Sequence, residues 1–248
     1  MIDQTQLSFL VIVILIALVF ELSNGFNDAA NAIATVVSTR VMSPLTAVLM
    51  AAAMNFLGAV SGTAVAKTVG KGVVQIDDVT LVAVAGGVLA AAIWVFAATR
   101  LGMPVSGSHS LISGLAGAAV AHAGWSVLEL SGLRKIGLGL VFSPILGFLG
   151  GYILMLCIYW IFRRSPPAKV TTIFSKLQML TAAGMAFSHG SNDAQKTMGI
   201  ITLALAVFYN WEGRGIPFEV PLWVIVVSGA VMAAGTYIGG RRVIQTLG

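Results

Sequence analysis

Two short polar stretches sit inside apolar runs. They are Gly25-Phe26-Asn27-Asp28-Ala29-Ala30-Asn31-Ala32 and Gly190-Ser191-Asn192-Asp193-Ala194-Gln195-Lys196-Thr197. Each holds a glycine, an amide and a carboxylate. A charge at mid-bilayer costs about 2.5–3.5 kcal/mol on insertion scales, so it marks a functional site with a partner. Carboxylate and amide oxygens suit a hard cation. Asp28, Asn31 and Asp193 are the candidate cation ligands. Glu21, four residues before Gly25, is read three ways: a further cation ligand, a proton carrier, or a protonated structural acid.

The same groups have a second use. An ionised carboxylate only accepts hydrogen bonds, and a protonated oxyanion supplies the donor. Phosphate near neutral pH carries P–OH groups and sulfate carries none, so aspartates facing the ligand favour phosphate. Asn27, Asp28, Asn192 and Asp193 are therefore candidate ligand contacts. For the asparagines the plainer alternative is interhelical hydrogen bonding. Lys196 lies three residues after Asp193, on the same helical face, and either neutralises it or meets an anion.

A third polar stretch, Pro104-Val105-Ser106-Gly107-Ser108-His109-Ser110, opens an apolar run. Proline, glycine and small hydroxyl residues there read as a helix amino terminus. Its free N–H groups and positive dipole end form an anion site, to which Ser106, Ser108 and Ser110 add hydroxyl donors. His189 adjoins the second stretch and is read, like His109, first as a structural hydrogen-bonding residue.

These groups need a membrane scaffold. The 248 residues are 58% hydrophobic and 9% charged, with a mean hydropathy of +0.95, against roughly 25% charged in soluble domains. The chain reads as a multi-pass protein of the cell membrane. Its net charge of +5 reflects loop residues that set orientation, not nucleic-acid binding. The single cysteine, Cys157, excludes an internal disulfide and a multi-cysteine metal site. No arrangement of Asp, Ser and His suggests an activated nucleophile, so no enzyme and no cofactor are expected.

Apolar runs at 7–38, 44–66, 79–99, 103–122, 136–162, 177–208 and 220–239 are long enough to cross a bilayer. Those at 7–38 and 177–208 exceed one straight span and are expected to break at their Asn-Asp pairs. Arg163, Arg164, Lys169 and Lys176 place residues 163–176 in the cytoplasm as a basic linker. Alternation then puts Arg40, Arg100, Arg241 and Arg242 inside as well, and the amino terminus outside.

The two polar stretches then lie in helices of opposite direction, the pattern of an inverted repeat around a transport site. Gly58-x-x-x-Gly62 and Gly235-x-x-x-Gly239 repeat also. Residues 1–162 form the first unit and 177–248 the second, with Gly248 matching Gly70. The fold class expected is an all-α, polytopic helical bundle with inverted repeats and broken helices. The match implies a parent chain of about 300 residues or more, with a second proline-serine-histidine segment.

At these residues the chain resembles the PiT family of inorganic phosphate transporters, whose hallmark is a duplicated G-x-N-D-x-x-N-A-type motif. Gly25–Ala32 is close to it, Gly190–Thr197 has a bacterial-looking N-D-A-Q-K-T form, and Pro104–His109 is similar to the family's P-x-S-x-[ST]-H segment. The resemblance implies symport of phosphate with sodium or protons. It makes Asn27, Asp28, Asn31, Asn192 and Asp193 cassette residues, and Ser106, Gly107, Ser108 and His109 a hairpin tip. The expected partners are inorganic phosphate, sodium or a proton, the lipid bilayer and, as a candidate, a second copy of the chain. The competing readings are a sulfate or other oxyanion permease, and a non-transporting receptor or half-subunit.

Overall fold

The computed structural model describes residues 4–247 apart from 102, 104 and 212. Within them the chain forms eight α-helices and no strand. They are α1 (Gln4–Ser38), α2 (Pro44–Val60), α3 (Ala64–Gly72), α4 (Leu81–Arg100), α5 (Gly107–Ala123), α6 (Leu130–Phe162), α7 (Pro167–Tyr209) and α8 (Leu222–Leu247). Each of the seven expected runs overlaps one of these helices, and the run 44–66 covers α2 and the start of α3. Most of the linker expected at 163–176 is also helix, because Pro167 opens α7 at a position where its missing N–H costs nothing.

The breaks expected at the Asn-Asp pairs are absent: α1 and α7 run through both cassettes. The broken span is the run 44–66. There α2 and α3 meet at 65° across Ser61-Gly62-Thr63, and Gln195 Oε1 accepts the Val65 N–H at 2.9 Å. One side chain of α7 thus satisfies a donor that the break leaves open.

The cassette glycines serve close helix packing instead. A Cβ on Gly190 would collide with the Asn55 carbonyl of α2. A Cβ on Gly25 would lie 2.6 Å from the Met232 carbonyl of α8. The two contacts correspond, since each cassette glycine meets a carbonyl on the second helix of the other half. Contacts between α1 and α7 pair residue 21 with 197, 24 with 193, 28 with 189 and 39 with 178. The numbers run in opposite order, so the two cassette helices are antiparallel, as an inverted duplication requires.

The runs at 79–99 and 103–122 form the two arms of one helical hairpin, of which α4 is long and apolar enough to cross a membrane. Val74 bridges Leu128 and Val127 O accepts the Gln75 N–H at 2.9 Å, so the start of α4 and the end of α5 lie on one side of the bundle. The tip lies against α1, where a Cβ on Gly107 would come 2.6 Å from Asn24 Oδ1. Arg100, which alternation places in the cytoplasm, stands at this tip as the last residue of α4. The parity of the other spans is unchanged. Buried Val84, Leu111, Leu115, Met198 and Leu203 lock the hairpin and α7 into one core. Most of α6 is exposed, as a lipid-facing helix is in the absence of lipid.

Candidate functional site

Where α1, α2 and α7 cross, the antiparallel cassettes bring Asp28, His189 and Asp193 together. One ligand atom from each lies within 4.8 Å of the others. His189 Nε2 is 3.3 Å from Asp28 Oδ2 and 3.5 Å from Asp193 Oδ2. Its Nδ1 lies 3.1 Å from Asn55 Oδ1. The Thr236 hydroxyl donates to Met232 O and accepts from Asn55 Nδ2 at 2.7 Å. That fixes the Asn55 amide with its oxygen toward the imidazole, so Nδ1–H donates to it. Nε2 then turns toward two carboxylate oxygens, an edge that attracts a positive species.

Asn24 and Lys196 complete the surroundings. Asn24 Nδ2 donates to Asp193 Oδ2 at 3.2 Å. The Lys196 ammonium lies 2.5 Å from Asp193 Oδ1 and also reaches the Ser108 hydroxyl at the hairpin tip. Asn31 Nδ2 donates to Asp28 Oδ1 at 3.1 Å. Ser106 caps α5 as expected, its hydroxyl accepting the His109 N–H at 3.3 Å. Pro104, from the same motif, lies outside the described residues.

The expected residues divide into two groups. Asp28, Asn31, Asp193, Lys196, Gly107 and Ser108 gather at or beside the centre, whereas Ser106 caps α5 and lines the groove that His109 faces. Asn27, Asn192 and His109 do not join it. Asn27 turns to the other flank of α1. Asn192 donates back to Ser188 O at 2.8 Å on its own helix. His109 faces a separate groove with Trp94, Ser110 and Ser113. Glu21 is fully buried about two turns from Asp28 and accepts from Thr197; its Oε1 has no partner among the described residues. The site also contains Asn24, Asn55 and His189, which the motifs leave unassigned. The i, i+4, i+7 spacing of Asn24, Asp28 and Asn31 is a signal for the first. Nothing local marks Asn55, a lone amide in apolar α2.

A bundle of membrane-length helices, with paired carboxylates and an ammonium at its crossing point, defines a multi-pass membrane protein with a half-buried charged cluster. The profile of the phosphate transporter family matches residues 24–170 and again residues 162–248. The chain belongs to the phosphate transporter family. It is 42% identical over 242 residues to a probable low-affinity inorganic phosphate transporter of Bacillus subtilis (strain 168), covering 96% of this chain and 71% of that one. A protein of the same description from Mycobacterium leprae (strain TN) is 39% identical, and there the shares are 98% and 58%. The relatives are described as transporters, not enzymes. Among solved structures, one titled as the sodium-dependent phosphate transporter shares the fold. Its TM-score is 0.82 at 23% identity, over 97% of this chain and 78% of that one.

Proposed function

We propose that the chain moves inorganic phosphate across the cell membrane in symport with a cation, and that sodium is that cation. The observation that carries this reading is Lys196, which joins Asp193 of a cassette to Ser108 of the hairpin tip. The anion half of the site is Lys196, the Ser108 hydroxyl and the first N–H groups of α5. The cation half is Asp28 and Asp193, with Asn31 beside them. The sodium-dependent description of the structural relative belongs to that protein and supports the choice here.

The charges supply the coupling. Two carboxylates outweigh one ammonium, so the empty centre repels an anion. A cation at about 4 Å from a carboxylate is worth about 4 kcal/mol at an effective dielectric constant near 20, and each 1.4 kcal/mol is tenfold in affinity. Binding the cation therefore changes phosphate affinity by orders of magnitude. Phosphate in turn places a P–OH donor on a carboxylate, which sulfate cannot do. The test is uptake into proteoliposomes. An inward sodium gradient at constant pH should drive accumulation, and a proton gradient without sodium should not. Equal accumulation under the two gradients rejects sodium as the coupling ion.

A further inference from the structure

Among the described helices three acids occur, and the central cluster uses two of them, Asp28 and Asp193. The third, Glu21, has no exposed surface. Its Oε2 accepts from the Thr197 hydroxyl, and its Oε1 has no partner among the described residues. Glu21 lies one turn before Asn24, whose amide donates to Asp193 Oδ2 at 3.2 Å. Thr197 lies one turn after Asp193 and next to Lys196. Asp193 and Lys196 are the charges that act on Glu21. The other helices packed on α1 direct their titratable groups elsewhere. Arg100 of α4 lines the flank of Ser23 and Asn27, and His109 of α5 faces its own groove. His122 is at the far end of α5, Tyr237 of α8 packs with Ile33 and Val36, and α2 has no titratable residue.

An ionised carboxylate with a single neutral donor is strongly disfavoured by burial, so Glu21 holds a proton in this structure. A purely structural role does not account for it. The unmatched oxygen costs stability that an apolar side chain of similar size avoids. What an acid adds at this position is a charge that can come and go beside the cluster.

We propose that Glu21 is a proton site of the transport cycle and that phosphate binds well only while it is occupied. The inference rests on the reading of the centre as a sodium and phosphate site. With sodium between Asp28 and Asp193, and Lys196 balancing the second carboxylate, the centre is neutral. When Glu21 releases its proton to water at the half-buried edge of Asp193 and Lys196, a carboxylate remains and the centre again repels an anion. Sodium stays necessary, because a proton on Glu21 leaves Asp28 and Asp193 ionised. Phosphate affinity is therefore present at low pH and lost as pH rises through the titration of Glu21.

The test is binding of radiolabelled inorganic phosphate to the purified chain in sodium across a pH series, read beside the infrared band of protonated carboxyl groups. Affinity of the unaltered chain should fall about tenfold or more, equivalent to about 1.4 kcal/mol, over the range in which a carboxyl band disappears. Glu21→Gln keeps a neutral side chain of the same size. It should lack that band, bind phosphate at neutral pH, and keep only the pH dependence of phosphate's own ionisation. Thr197→Val removes the one hydrogen bond and should displace the fall along the pH scale. If Glu21→Gln does not fold, the Thr197→Val profile decides, an unchanged one overturning the proposal. The same pH profile in Glu21→Gln and the unaltered chain also overturns it. So does a Glu21 band that persists through the whole range, which would make it a structural acid, or the lack of any band that Glu21→Gln removes. Phosphate binding that needs no sodium rejects the central reading, while its dependence on Glu21 still decides this one. No phosphate binding at any pH rejects both.

Discussion

At the residue scale the centre is a chain of orientations. The Thr236 hydroxyl directs the Asn55 amide, Asn55 directs His189, and His189 turns its Nε2 to Asp28 and Asp193. The carboxylates carry the coupling charge, so Asp28→Asn and Asp193→Asn should each abolish cation-coupled uptake while leaving the protein folded. The amide keeps the volume and loses the charge. Normal coupled uptake by either variant removes that aspartate from the mechanism. Asn55→Ala acts one step back. It strips a buried hydroxyl and an imidazole of their partner, which costs about 1–3 kcal/mol. Its thermal midpoint in detergent should fall, and uptake with it. An Asn55→Ala protein of unchanged stability and rate would show that His189 needs no such support.

At the element scale, close packing against the cassette helices matters more than any break within them. Gly190 has no room for a Cβ because the Asn55 carbonyl occupies that place, whereas Gly184 on the same helix has nothing within 4 Å. Gly190→Ala should therefore destabilise by about 1–3 kcal/mol through overpacking, and Gly184→Ala should be neutral or slightly stabilising. Thermal unfolding of the two variants side by side checks this, and equal midpoints would contradict it. The bend between α2 and α3 depends on Gln195, whose side chain holds the first turn of α3.

At the scale of the whole molecule, the hairpin decides the topology. Gln75 and Trp125 both lie at its open end, while Ser165 lies beyond α6. In a Cys157→Ser background, single cysteines at 75 and 125 should react with an impermeant thiol reagent from the same side of the membrane, and one at 165 from the opposite side. Labelling of 75 and 125 from opposite sides would mean that α4 alone spans the bilayer. Selectivity is also a property of the assembled site. Phosphate should outcompete sulfate about tenfold or more near neutral pH, because an unmet polar partner costs about 1–3 kcal/mol and about 1.4 kcal/mol is already tenfold. Equal inhibition of uptake by the two anions would favour a general oxyanion permease.

Composition alone determined the solvent: a chain this apolar has to satisfy its backbone internally, and apolar runs of about twenty residues or more do so as helices. The duplicated Asn-Asp cassettes and the serine-rich helix start identified most of the residues at the centre, because charge and amide groups stand out against an apolar background. Three things were beyond the reach of local pattern. A helix can carry Asn-Asp without breaking, since its backbone bonds are made regardless of which side chains project. Two apolar runs of similar length read alike whether they cross or turn back, and what bears on it is the contact of their tip with α1 at Asn24, well short of the end of that helix at Ser38. Which flank of α1 each polar side chain serves was settled by the neighbours. The antiparallel approach of α7 turned Asp28 and Asn24 to the cluster. The same approach left Asn27 on the other flank, because residues one apart on a helix point about a hundred degrees apart.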